Sequence, residues 1–173
     1  MDTFVKKNFF IILLLSFSFL YAESITEAFG ISYGTPYENA VIELQKCGYS
    51  ILNVEEKNDV NGAKKIIQVG SFEYDGMPYI CASFIFTKKR YDNDYSFDMC
   101  TTIVDTDKIN SDMRCAAMFQ VFCETIRKKY SISTDSSGDP IVTTCRGNNG
   151  GLIIFYASDD TLQIVFIPKE PMS

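Results

Sequence analysis

The stretch Tyr79-Ile-Cys-Ala-Ser-Phe-Ile-Phe-Thr87, followed after a charged loop by Tyr95-Ser-Phe-Asp-Met-Cys-Thr-Thr-Ile-Val104, decides the fold class. Both segments alternate, and both are rich in aromatic and β-branched residues, as paired strands should be. The loop Lys88 to Asp94 between them is polar, so the two read as a β-hairpin. Ile80, Ala82, Phe84 and Phe86 share one face of the first strand. Tyr95, Phe97, Met99 and Ile103 share one face of the second. A one-residue slip would turn one set to solvent. The register that joins both faces pairs Phe84 with Phe97 and Ala82 with Met99. It also sets Cys81 opposite Cys100 on the other face, which makes these two the candidate disulfide.

Working outward, Ile51 to Glu55 and Lys65 to Phe72 read as two earlier strands, the second after a loop at Asn61-Gly62. Before them, Thr35, Pro36 and Glu38 have the spacing of a capped helix start. Ala40, Val41, Leu44 and Cys47 form an apolar stripe at helical spacing, and Gly48 suits the stop. The spacing predicts a helix over 36–47. A second helix is expected from Asp112 to Tyr130, with Cys115, Phe119, Phe122, Ile126 and Tyr130 on one face. Arg127, Lys128 and Lys129 complement its C-terminal dipole. A Ser-, Asp- and Gly-rich loop is expected from Ser131 to Pro140. Then Ile141 to Arg146, Leu152 to Ala157 and Thr161 to Pro168 read as a three-stranded meander, whose last strand alternates Leu162, Ile164 and Phe166.

The expected class is α+β, an antiparallel sheet with two helices packed on one face. The order suggests one helix-plus-meander unit written twice, with halves 30–104 and 112–168. Tyr49-Ser-Ile51 and Tyr130-Ser-Ile132 leave the two helices in the same way.

The chain of 173 residues opens with Lys6-Lys7 and an apolar run from Phe9 to Tyr21, ending at Ala22. The run is shorter than the roughly 20 residues that span a bilayer. Residues 1–22 therefore read as a cleavable signal peptide, the competing reading being an uncleaved anchor. Residues 23–173 are expected to form one domain, exported to the periplasm or secreted. No stable membrane span is expected after cleavage. Residues 1–22 include Asp2, Lys6 and Lys7, so the rest carries 14 basic and 21 acidic residues, a net charge near −7. That balance disfavours nucleic acid.

The sequence has no histidine, which removes Ser-His-Asp and Cys-His nucleophile systems. No cofactor is expected. Six cysteines and no Cys-x-x-Cys pair leave two readings open, a disulfide framework or small buried hydrophobes. Asp92, Asp94, Ser96 and Asp98 alternate like calcium ligands but lack the glycine and terminal acid of such loops. They read as a solvated hairpin, and Asp105, Asp107 and Asp112 as helix caps. The basic runs Lys88-Lys-Arg90 and Arg127-Lys-Lys129 read as edge protection and dipole partner. The turn carrying Tyr74, Met77 and Tyr79, with Tyr91 and Tyr95 of the hairpin loop, is the candidate interaction surface, because aromatic loops anchor protein contacts.

Gly30-x-x-Tyr33-Gly-Thr35, with a helix ending Gly48-Tyr49, resembles the opening of small exported bacterial α+β domains. Among them are outer-membrane assembly lipoproteins of the BamE/SmpA kind and tandem-repeat β-lactamase inhibitor proteins. The resemblance implies protein binding without catalysis. The doubled order favours the inhibitor-like architecture, since the lipidated cysteine of the lipoproteins is missing. No inhibitor binding residue has a counterpart here. The function expected is a non-catalytic binding module with an extracytoplasmic protein partner. The alternative is a small-ligand or lipid carrier using a cavity between helices and sheet. A carboxylate-pair hydrolase ranks last.

Overall fold

A computed structural model of the chain describes residues 23–59, 62–88 and 94–171. The leader, Tyr91 and Asp92 lie outside the described residues. Two short strands, β1 (Glu27–Ala28) and β2 (Ile31–Ser32), form a small hairpin, followed by helix α1 (Tyr37–Lys46). Then come β3 (Ile51–Asp59), β4 (Gly62–Val69), β5 (Phe72–Tyr74), β6 (Met77–Lys88) and β7 (Tyr95–Val104). Helices α2 (Thr106–Ser111) and α3 (Met113–Lys129) lead to β8 (Ser131–Asp135), β9 (Ile141–Arg146), β10 (Leu152–Ala157) and β11 (Leu162–Ile167).

The fold is mixed α and β around one large antiparallel sheet, ordered β3-β4-β6-β7-β11-β10-β9-β8, with β5 attached to β6. From one edge the strands run β3, β4, β6, β7; from the other they run β8, β9, β10, β11. The last strand of each half meets the other at the β7–β11 seam. There Thr102 faces Ile164 and Cys100 faces Phe166.

Register sorts the side chains into two faces. Val54, Ile67, Phe84, Cys100, Phe166, Ile153, Cys145 and Ile132 form one continuous row across eight strands. Ile67, Phe84, Cys100 and Cys145 of this inner row are fully buried, whereas Val54 at the β3 edge is 46% exposed. Ala40 and Leu44 of α1 and Ile126 of α3 join the same core, with Phe119, Phe122 and Tyr130 half-buried against it. Phe122 meets Phe155 edge-on at 6.1 Å, and Tyr37 meets Phe86 at 5.4 Å. Cys123, outside the expected stripe, is also buried, whereas Cys47 is exposed.

The β6–β7 register departs from the expected one. Phe84 faces Cys100, Phe86 faces Phe97 and Cys81 faces Ile103. Two bulges cause this. Ile80 is an extra residue on β6, and Asp98 is an extra residue on β7. Each bulge reverses the inward–outward phase beyond it. Ile80 is consequently 50% exposed, and Cys100 rather than Met99 turns into the core. The expected Cys81–Cys100 pairing is corrected with the register. Cys81 lies on the outer face and Cys100 in the core, and no disulfide joins the six cysteines in the structure.

Other boundaries differ for local reasons. Thr35 does not cap α1, and no side chain does. The backbone ahead of the helix pairs with β7 instead, through Gly34 N to Phe97 O at 2.9 Å and Phe97 N to Thr35 O at 2.8 Å. Gly48 ends the helix at φ +79°, and the Tyr49 N–H reaches back to Leu44 O. This is the expected left-handed stop. Asp105 and Asp112 cap α2 and α3, each accepting from backbone N–H groups at 2.8–2.9 Å. Strand β8 lies where a loop was expected.

Candidate binding surfaces

Of the expected aromatic surface, Met77 and Tyr79 are core, and Tyr74 and Tyr95 are half-buried. Asp75 and Gly76 both have positive φ, as a tight hairpin turn between β5 and β6 requires. The turn sets Tyr74 opposite Met77 and Phe72 opposite Tyr79. Met77 is 1% exposed and Tyr79 3%. The ring of Phe29 is met edge-on by Phe72, Tyr74, Tyr79 and Phe166 at 5.1–5.3 Å. Burial is the chief cause that raises the pKa of both Tyr74 and Tyr79. Tyr95 is engaged within the domain, its hydroxyl donating to Glu56 Oε1 at 2.7 Å. Lys65 Nζ stands 4.9 Å from its ring centre and 4.5 Å from that of Tyr37. The structure thus brings Tyr74, Met77 and Tyr79 together inside the molecule and uses Tyr95 to brace a sheet corner. Cys81 is half-buried and Cys100 fully buried.

The opposite face of the sheet has a different character. Its central row runs Asn53, Gln68, Ser83, Thr101, Val165, Ile154, Thr144, Ser133. On one side lie Ile66, Ile85 and Met99. On the other lie Cys81, Ile103, Gln163, Tyr156 and Val142. These side chains are half-buried, apart from Ser133 and Asn53 at the sheet edges and Val165 at 9% exposure. In β6, β7, β11 and β10 the register-paired outward positions between Cys81 and Ile85, Met99 and Ile103, Gln163 and Ile167, and Leu152 and Tyr156 are uncharged. Charge begins at the margins, with Glu55, Asp135 and Arg146. In a chain that is 22% charged, this is an aliphatic and hydroxyl-bearing field with a charged rim. At one end Asp139, Pro140, Ser158 and Thr161, with Tyr156 and Gln163, line a depression of about 230 Å³.

A second concavity, of about 470 Å³, opens between α3, the β5–β6 hairpin and the segment from Ser24 to Phe29. Its floor reaches Ile153 and Phe166, and Met118, Val121 and Phe122 form the helical wall. The hairpin tip touches that wall. A Cβ on Gly76 would stand 2.9 Å from Met118 Cγ. This cleft was not legible in the sequence, because its walls come from three distant segments.

Among the described residues no group of three or more Cys, Asp or Glu could hold a metal ion. No helix among them is long and apolar enough to cross a membrane. Comparison with protein-family models, with curated proteins and with solved structures gave no match.

Proposed function

We propose that this chain is an exported, non-catalytic protein-binding module that docks an extracytoplasmic partner on the outer face of its sheet. The observation that carries this reading is the uncharged field across β6, β7, β11 and β10, edged by charge. Protein interfaces have this anatomy, with charge depleted at the centre and polar groups at the rim. The absence of histidine removes Ser-His-Asp and Cys-His nucleophile systems.

The same reading has two helices on the inner face and a duplicated unit. Tyr49-Ser-Ile51 leaves α1 for edge strand β3, and Tyr130-Ser-Ile132 leaves α3 for edge strand β8. The echo falls at corresponding places in the two halves. This supports the likeness to tandem-repeat inhibitor proteins over that to single-unit lipoproteins, and it supports a broad sheet as the working surface.

The test is affinity capture of the tagged protein from cross-linked cell envelopes, alongside an Ile85→Glu, Ile154→Glu double variant. One stoichiometric protein that is captured by the parent and lost from the variant is the expected result. Equal capture by both chains would sink the outer-face assignment. No partner with either would sink the binding-module reading.

The 470 Å³ cleft favours a second reading, a carrier of a small apolar ligand, since its size falls within the usual range of ligand sites. Native mass spectrometry of the protein purified from its own envelope decides this. A bound lipid mass that vanishes with Val121→Trp supports it, and an empty protein rejects it.

A further inference from the structure

The cleft beside α3 holds polar groups that the fold itself leaves unused. Its floor is apolar, with Ile25, Ala28, Ile153 and Phe166 all buried. Tyr79 alone brings a hydroxyl to the buried part of that lining. The residue is 3% exposed, and its hydroxyl makes no hydrogen bond among the described residues. The ring cannot swing to find one, since Phe72 stacks on it at 4.9 Å and Phe29 meets it edge-on at 5.1 Å. Buried polar groups are partnered in the great majority of folded proteins, so an unpartnered one lining a cavity points to something bound there. Tyr74, half-buried in the same lining, is likewise without a hydrogen-bond partner among the described residues.

The charges of the cleft say what that ligand carries. Lys129 is the one basic residue in the lining, and its Nζ is already paired with the Glu23 carboxylate at 2.9 Å. Glu27 and Asp75 also line the cleft, exposed at its rim, and neither has an ion-pair partner among the described residues. Both lie close to the unpartnered hydroxyls. Burial, then the Asp75 carboxylate, raises the pKa of Tyr74 and Tyr79, and Glu27 adds to this at Tyr74. An anionic headgroup would meet two uncompensated carboxylates here and no spare cation. An ammonium would offset them, donate N–H groups to the tyrosine oxygens and lie against aromatic rings that attract cations.

We propose that the cleft binds a cationic amphiphile, an ammonium on an alkyl chain, with Asp75 and Glu27 neutralising the ammonium, the Tyr79 and Tyr74 hydroxyls accepting its N–H groups, and the chain lying on the apolar floor. The carrier reading of this cleft underlies the assignment, which adds the class of ligand. Small-molecule sites have this make-up, a mostly apolar lining with a few placed polar groups that fix orientation.

The experiment is isothermal titration calorimetry at neutral pH, on protein purified from cells expressing the full chain. The probes are dodecylammonium, dodecan-1-ol and dodecanoate, each below its micelle-forming concentration. Dodecylammonium is expected to bind one to one, about tenfold or more tighter than the other two. Equal binding of the alcohol or the carboxylate overturns the cationic class and leaves the carrier reading standing. No binding of any probe overturns both. Val121→Trp, on the half-exposed helical wall, is expected to abolish binding, and undiminished binding there would place the amphiphile outside the cleft and overturn the site. The Glu27→Gln, Asp75→Asn double variant should weaken dodecylammonium about tenfold and leave dodecan-1-ol unchanged. Equal loss for both probes would overturn the role of the carboxylates. Tyr79→Phe should also weaken dodecylammonium about tenfold, yet melt no lower than the parent when empty, because the hydroxyl it lacks had no partner. A clearly lower melting temperature would show that the hydroxyl is satisfied within the fold, and would overturn its place in the site.

Discussion

Asn149 holds Ile25 by both of its backbone polar groups. Its Oδ1 accepts from Ile25 N at 3.0 Å and its Nδ2 donates to Ile25 O at 2.9 Å. The same Nδ2 also faces Lys169 O at 3.0 Å and Glu170 O at 3.2 Å. One side chain thus ties the start of the domain to its end. Asn149→Ala should cost about 2–3 kcal/mol, since several part-buried backbone groups lose their partner together. Asn149→Asp should be no better, because a carboxylate would face three carbonyl oxygens. Urea unfolding at neutral pH checks both, and an unchanged midpoint for either would refute the clamp.

The two sheet faces should respond oppositely to substitution. Phe84 is fully buried on the inner row, so Phe84→Ala should cost about 3–5 kcal/mol. Its neighbour Ile85 points to the outer field, where Ile85→Glu should change stability by less than about 1 kcal/mol. Circular-dichroism melts of the two variants separate the faces. A comparable loss for both would mean that the outer field is covered.

Gly76 meets two demands, a left-handed φ of +74° and contact with Met118. Gly76→Ala should destabilise by about 1–2 kcal/mol through backbone strain and the clash together. Met118→Ala should relieve the clash but leave the strain. A double-mutant cycle then gives a favourable coupling between the two sites. Strict additivity would place the hairpin tip away from α3.

Burial pushes the thiols of Cys123 and Cys145 up to about 12, against an ordinary value of 9.0. A group with a pKa higher in the folded chain than in the unfolded one contributes stability below the unfolded value. That contribution is lost as pH climbs through the folded value. The reduced protein should therefore lose stability progressively between about pH 9 and 12. Unfolding midpoints at stepped pH test this. At pH 8, under native conditions, Cys47 should react first with a thiol reagent, because it is exposed while Cys100, Cys115, Cys123 and Cys145 are buried. Rapid labelling of all six would contradict the packing.

Much of the sheet was legible because its strands obey a period of two. Leu162, Ile164 and Phe166 alternate in sequence and are buried in structure. The α3 stripe was legible for the corresponding helical reason. The β6–β7 register was not. A bulge such as Ile80 or Asp98 adds a residue without any compositional mark, and everything past it changes face. Strand β8 was missed because Ser-Ile-Ser-Thr-Asp is an edge, bonded on one side only and lacking an apolar face. The Asp75-Gly76 dipeptide was a readable tight-turn signal. It would have moved Met77 and Tyr79 from a surface loop to the core. The outer field depends on knowing eight strands at once, so no local pattern could have disclosed it.

The β7–β11 seam also governs when this molecule can come into being. Each half makes its own hairpins from neighbouring sequence, but β7 must wait for residues 162–167, and Ile25 must wait for Lys169. Both closures span long stretches of chain, and ordering such loops slows folding. While the C-terminal strand is still being synthesised, the chain holds half a sheet with an unpaired inner edge and no anchored start. Neither closure can form until the last strand is made.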